Sequence, residues 1–272
     1  MGLSETERDG LIGAVRAAAR TQIMPRFRRL TPEDIDTKTS PSDLVTVADR
    51  AAEIMLHDAV RVLMPDAAIV GEEAVSDDPT ILDRLKRGGR TVLIDPIDGT
   101  WNYAAGLAVF GVILAVVEDG ETSFGLLYDP VMDDWVMAGR GQGAWFCRPE
   151  GTALRLQGPP PRPKADAHAF VPLFLYPPSE RARLAARLPG WGRVTSLRCS
   201  CHEYRTLAFG HADLIAAPAP KPWDHAAGVL IAGETGGSAW SGKPGYDLTD
   251  SKATLVVKGR APVNPGWASD FE

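Results

Sequence analysis

The stretch Leu93-Ile94-Asp95-Pro96-Ile97-Asp98-Gly99-Thr100 gathers residue types suited to metal-assisted phosphate chemistry. An apolar run from Thr91 to Ile94 reads as a strand that delivers two carboxylates three residues apart. Around a proline, that spacing can turn both acids toward one point instead of alternating them across a sheet. Hard divalent cations select such groups of oxygens. Gly99 and Thr100 then offer backbone N–H groups and a hydroxyl where a helix or turn begins, a place suited to an anion. Metal and phosphate would meet there.

Two further acidic stations follow the same logic. Ala67 to Val70 is a short apolar run ending in Gly71-Glu72-Glu73, so a carboxylate again sits at the end of a strand. Trp223-Asp224-His225 opens an apolar segment running to Gly233, with Asp224 where a helix N-cap belongs. Singly, these read as an acidic turn and a cap. His225, directly after Asp224, reads as a packed or hydrogen-bonding residue rather than a catalytic acid.

Taken in order, these motifs resemble the inositol monophosphatase family of Mg-dependent, lithium-sensitive phosphatases. The resemblance rests on Gly71-Glu72-Glu73, Asp95-Pro96-Ile97-Asp98-Gly99-Thr100 and Trp223-Asp224 with Ala227-Gly228. Lys38-Thr39-Ser40-Pro41 with Asp43-Leu44-Val45-Thr46 and Asp49 matches the family's first motif. It implies one metal on Glu72, Asp95 and the backbone carbonyl of Ile97. A second would sit on Asp95, Asp98 and Asp224, and a third, weaker Mg²⁺ near Glu72. Gly99 and Thr100 match the phosphate-binding N–H groups. Thr100 with Asp49 matches a pair that orients the attacking water, with Glu72 a competing candidate for the base. Lys38 matches a basic residue near the site. The implied fold combines α/β and α+β halves in a layered αβαβα sandwich of the inositol monophosphatase and fructose-1,6-bisphosphatase type, and the implied assembly is a homodimer.

The chemistry suits these residue types independently. Phosphate monoesters hydrolyse extremely slowly unaided, so a large and mainly electrostatic barrier reduction is required. Glu72, Asp95, Asp98 and Asp224 carry four negative charges that two Mg²⁺ ions neutralise, and an incoming phosphate dianion leaves room for a third ion. Oxygen-only ligands favour Mg²⁺ or Mn²⁺ over zinc. The substrate is then a small phosphorylated metabolite. Inositol-specific relatives carry an acid seven places before the last metal Asp, and here that place is Ala217. The segment Arg198-Cys199-Ser200-Cys201-His202-Glu203-Tyr204 resembles members acting on other esters, including histidinol-phosphate phosphatases. Arg198, Ser200 and Lys221 are the candidate leaving-group pocket. Histidinol phosphate, 3′-phosphoadenosine compounds and sugar bisphosphates stay open as substrates, as does an inactive homologue that only binds a phosphometabolite.

Composition excludes other classes. The 272 residues carry a net charge of −6 with no sustained basic run, which argues against a nucleic-acid polymer as partner. Three cysteines, Cys147, Cys199 and Cys201, make neither a disulfide framework nor a zinc site, and fit a cytoplasmic protein. No uninterrupted apolar window reaches the length of a membrane span.

The positioning elements follow from periodicity. Ser4 with Glu7 reads as a capping box ahead of a helical stripe at Leu11, Ile12, Val15, Ala18 and Ala19, closed by Pro25. Asp49 to Leu63 reads as a helix with Ala52, Met55, Ala59 and Val62 inward, and Asp49 can cap it while facing the site. Strands are expected at 109–117, 122–128, 135–138 and 144–147, then 167–175, 193–199, 213–217 and 253–258. Helices are expected at 179–188, 202–209 and after Asp224. Residues 1–150 read as an N-terminal α+β domain, 151–164 as a Pro-rich junction, and 165–272 as a C-terminal α/β domain.

Overall fold

The Ser4–Glu7 capping box forms, with the Ser4 N–H donating to the Glu7 carboxylate at 2.8 Å, and starts helix α1 (Glu5–Ala18). A π-helical turn over Ala19–Ile23 carries the chain toward Pro25. A short antiparallel hairpin, β1 (Ile35–Thr37) and β2 (Leu44–Thr46), leads into α2 (Val47–Leu63). The computed structural model describes residues 3–41, 43–158, 160–260, 265–268 and 270–271.

Two sheets organise the rest. The first runs through β3 (Ala68–Gly71), β4 (Arg90–Asp98), β5 (Gly111–Glu118), β6 (Glu121–Asp129), β7 (Asp134–Gly139), β8 (Ala144–Cys147) and β9 (Leu154–Arg155), side by side in chain order. Only β3 and β4 are parallel within it. Short helices α3 (Glu72–Asp77) and α4 (Thr100–Ala104) follow β3 and β4. The second half contributes β10 (His168–Phe170), α5 (Pro178–Ala185), β11 (Arg193–Thr195), α6 (Ser200–Ala208), β12 (Leu214–Ala217), α7 (Pro222–Glu234), β13 (Ser238–Trp240), β14 (Leu255–Lys258) and α8 (Pro265–Ala268). Its strands order as β11-β10-β12-β14-β13 in a mixed sheet.

Burial defines the layers. Strand residues on one face of the first sheet, such as Ile94, Val112 and Leu114, pack on Leu11, Val15, Leu56 and Val60 of α1 and α2. The opposite face, with Leu93, Ile113 and Leu127, packs on α6 and α7, which also meet Ile215 and Val257 of the second sheet. Ala169, Leu214 and Val256 turn from that second sheet toward Leu184 of α5 and the C-terminal segment. The result is the expected αβαβα sandwich. Opposite-facing neighbours such as Leu93 and Ile94 show how period-two alternation serves two cores at once.

Tyr204 on α6 lies so close to α7 that a Cβ at Gly228 would fall 2.2 Å from its ring. Gly228→Ala is therefore expected to cost about 1–3 kcal/mol through overpacking, lowering the melting temperature by roughly 2–10 °C. An unchanged thermal midpoint would contradict this tight contact.

Several elements differ from their expected form. The strand expected over 167–175 ends at Phe170, because Pro172 cannot continue a ladder, and a 3₁₀ turn covers Leu173–Leu175. The strand expected over 193–199 stops at Thr195, and the chain turns into α6 through Arg198 at φ 54°. The stretch 151–164 holds the edge strand β9. On α2 the core stripe is Ala48, Ala52, Leu56 and Val60, and Val62, expected inward, is 82% exposed.

Candidate metal and phosphate site

Strand β4 solves a geometric problem at its end. Residues three apart on a regular strand face opposite ways. Here the pairing with β5 slips, since Asp95 opposes Ile113 while Asp98 opposes Gly111. This bulge at Pro96 re-aims the chain, so both acids belong to one electrostatic group. Gly99 follows at φ 87°, a left-handed conformation that starts α4 and suits glycine. A Cβ there would lie 3.0 Å from the Val109 carbonyl oxygen and 3.3 Å from that of Arg198.

Carboxylate oxygens of Glu72, Asp95 and Asp224 lie within 4.8 Å of one another. They come from the start of α3, the end of β4 and the first turn of α7. Asp224 is the third residue of its helix, with Lys221 as N-cap and Pro222 in the first turn, rather than the N-cap itself. The Asp95 and Asp224 carboxyl groups lie side by side in this cluster, and the Asp224 charge opposes the ionisation of Asp95. Asp95 Oδ1 is buried with no hydrogen-bond partner. Burial, then the charges of Glu72, Asp98 and Asp224, push Asp95 well above the usual carboxylate range. Burial and the Glu72 charge raise Asp224 to about 7. A buried cluster of acids whose ionisation is opposed by burial and by one another fits a hard cation, which would supply the missing positive charge and satisfy the orphaned oxygen.

Asp98 stands beside this trio rather than in it. Its Oδ2 accepts from the Cys201 N–H and, at 3.0 Å, from the Cys199 thiol. Burial lifts it to about 6 against the Cys201 N–H, which lowers it. Ile97 presents its carbonyl to the Thr100 hydroxyl at 2.9 Å. A carbonyl has two lone pairs, so this contact leaves one for a cation.

Thr100 Oγ1 also lies 3.2 Å from Asp49 Oδ1. Asp49 caps α2 through its other oxygen, accepting from the Thr46 N–H at 2.9 Å and from the Thr46 hydroxyl. One side chain both caps the helix and faces the site, as the sequence suggested. Burial raises Asp49 to about 7, opposed by the Thr46 hydroxyl.

Lys38 donates to Glu72 at 2.9 Å and to Glu73 at 2.8 Å, so its ammonium compensates two of the acids. Glu53 on α2 accepts from the N–H groups of Glu73 and Ala74 and seats the start of α3. It went unnoticed in the sequence, where it reads as one more helical acid. His225 is buried and neutral, held to about 3 by burial, with Nδ1 3.1 Å from the Tyr204 hydroxyl.

These groups open onto a cavity of about 400 Å³. Glu72, Asp98 and Asp224 line it together with Gly99 and Thr100. Arg198, Ser200 and Lys221 line it as well, so the three expected pocket residues share one space with the acids. Two aromatic residues absent from the sequence reading join them. The Arg198 guanidinium lies 4.0 Å from the centroid of Trp101 and 4.8 Å from that of Phe174.

Residues 5–263 match the model of the inositol monophosphatase family. The chain belongs to that family. It is 30% identical over 218 residues to the fructose-1,6-bisphosphatase/inositol-1-monophosphatase of Thermotoga maritima, covering 78% of this chain and 77% of the relative. A histidinol-phosphatase of Chlorobaculum parvum is 28% identical, with 78% of this chain and 77% of the relative covered. Among solved structures, a Thermotoga maritima IMPase superposes with a TM-score of 0.79 over 97% of this chain and 96% of its own, at 24% identity. That likeness concerns the fold, and the family match makes this chain an inositol monophosphatase family phosphatase.

Proposed function

We propose that this phosphatase is a Mg²⁺-dependent phosphomonoesterase that uses water to release inorganic phosphate from a small metabolite. The observation that carries the reading is the buried Glu72–Asp95–Asp224 cluster, with its orphaned oxygen, beside the cavity that Thr100 lines. Glu72, Asp95 and the Ile97 carbonyl would hold one ion, and Asp95, Asp98 and Asp224 a second. Bound there, the ions would supply positive charge to the phosphate and acidify water.

The chain's own groups do the positioning. The N–H groups of Gly99 and Thr100 hold phosphate oxygens. Thr100 Oγ1 has one proton, and turning it from the Ile97 carbonyl at 2.9 Å to Asp49 at 3.2 Å leaves oxygen lone pairs to accept from the attacking water. Asp49, raised toward neutrality by burial, is matched to receive that proton near pH 7. Glu72 is the competing base, but its carboxylate already accepts from Lys38.

Substrate selection follows from the cavity wall. Ala217 lines the cavity and offers no acceptor to an inositol ring, so an inositol hydroxyl would lose a hydrogen bond worth about 1 kcal/mol. Arg198, Ser200 and Lys221 face the leaving group instead. The relatives' names extend the candidates to sugar bisphosphates and histidinol phosphate. Phosphate release from such a panel should vanish in EDTA and return with Mg²⁺. Full turnover in EDTA would end the metal-dependent reading.

A further inference from the structure

Arg198 is held in an unusual way. Its backbone sits at φ 54°, in the left-handed region, where a residue other than glycine is uncommon and merits a functional explanation. Its carbonyl packs against Gly99, which places the side chain next to the phosphate end of the cavity. The guanidinium lies over two rings, Trp101 on α4 at 4.0 Å and Phe174 after β10 at 4.8 Å from the centroids. Contacts with aromatic rings hold the guanidinium without using its N–H donors. Among the described residues, no carboxylate pairs with Arg198 and no protein atom accepts from its side chain.

Two other carboxylates of the cavity wall, Glu203 and Asp43, are engaged elsewhere. Glu203 accepts from the Leu197 N–H at 2.7 Å and from the Ser196 hydroxyl. Asp43 accepts from Thr39. Lys221, exposed at the start of α7, adds a second cation to the same wall, and Ala217 contributes no countercharge. A rigid planar donor set with no internal partner is the arrangement that binds an oxyanion in bidentate fashion.

Resting on the phosphatase reading above, we infer that Arg198, held against Trp101 and Phe174 and assisted by Lys221, binds a second anionic group on the leaving group. The preferred substrates are then phosphomonoesters that carry a further phosphate or carboxylate. Esters whose leaving group is neutral or cationic, histidinol phosphate among them, are disfavoured. The two ring contacts matter because a free arginine side chain loses rotamer entropy on binding, whereas this one is already ordered.

Matched ester pairs test this with the full chain and saturating Mg²⁺. 2-Phosphoglycerate against glycerol 2-phosphate reads a carboxylate, and fructose 1,6-bisphosphate against fructose 1-phosphate reads a second phosphate. The anionic member of at least one pair should show a kcat/KM about tenfold or more above its partner, and the responding pair identifies the anion. In Arg198→Gly, which suits the positive φ, that ratio should fall toward one. Arg198→Lys keeps the charge but loses the fork, so most of the preference should disappear there too. Equal efficiency within both pairs, or ratios that survive both substitutions, would overturn the anion subsite and leave the phosphatase standing. Absence of turnover with every ester would overturn both.

Discussion

Asp95→Asn is expected to lower kcat by three orders of magnitude or more while raising the thermal stability of the metal-free protein. The two effects share one cause. Asp95 is buried among Glu72, Asp98 and Asp224, and each of those charges opposes its ionisation. An amide of the same shape cannot ionise, so that opposition disappears from the folded cluster. Without metal, less repulsion is stored in the fold. With metal, the oxygen that both ions would share is lost, and transition-state charge stabilisation of roughly 4 kcal/mol goes with it. The measurements are single-substrate kinetics in Mg²⁺ and thermal unfolding in EDTA. A variant retaining wild-type turnover would falsify the assignment of Asp95 to the metal site. A variant losing activity together with apo stability would point instead to a structural role. Such opposed changes are the expected signature where function requires a destabilised cluster.

Much of this site was legible because its acids sit at the ends of locally recognisable elements. Glu72 follows a four-residue apolar run, Asp95 ends another, and Asp224 opens an apolar helix. The proline between Asp95 and Asp98 announced the bulge. The dual use of Asp49 was also readable, since a capping position and a site position coincide on one residue. What stayed hidden depends on contacts between distant segments. Cys199 and Cys201 meet Asp98 across about a hundred residues, and nothing in either motif encodes that hydrogen bonding. The ring pair around Arg198 joins α4 to the turn after β10. Asn102 likewise ties Val109 to Leu197 through its side-chain amide. The strands β1, β2 and β13 span three residues each, too few for alternation to register. The inward face of α2 was misread toward Val62 because Val62 and Val60 are equally apolar, and only packing chooses between them.

In EDTA the melting temperature should fall as pH rises from 6.5 to 8, and Mg²⁺ should cancel that fall. Carboxylates in an unfolded chain titrate near pH 4. In the folded chain Asp224 and Asp49 stand at about 7 and Glu73 at about 8, with Asp95 also raised. Between those limits the folded state binds more protons than the unfolded state, so stability declines with increasing pH. The penalty is absent below the unfolded values and grows as pH rises through the folded ones. Buried His225 acts in the opposite sense, since it is held neutral while the unfolded imidazole protonates below about 6.5. Starting the comparison at pH 6.5 therefore leaves the acids dominant. Mg²⁺ at a hundred times its dissociation constant should add about 2.7 kcal/mol, a rise of roughly 5–10 °C for a chain of this size. The rise should be larger at pH 8 than at pH 6.5, because metal and protons compete for the same oxygens. Asp95→Asn should flatten both dependences. A metal-free midpoint that does not move with pH would mean that these acids ionise freely in the fold. The cluster would then lack the stored repulsion that makes cation binding favourable.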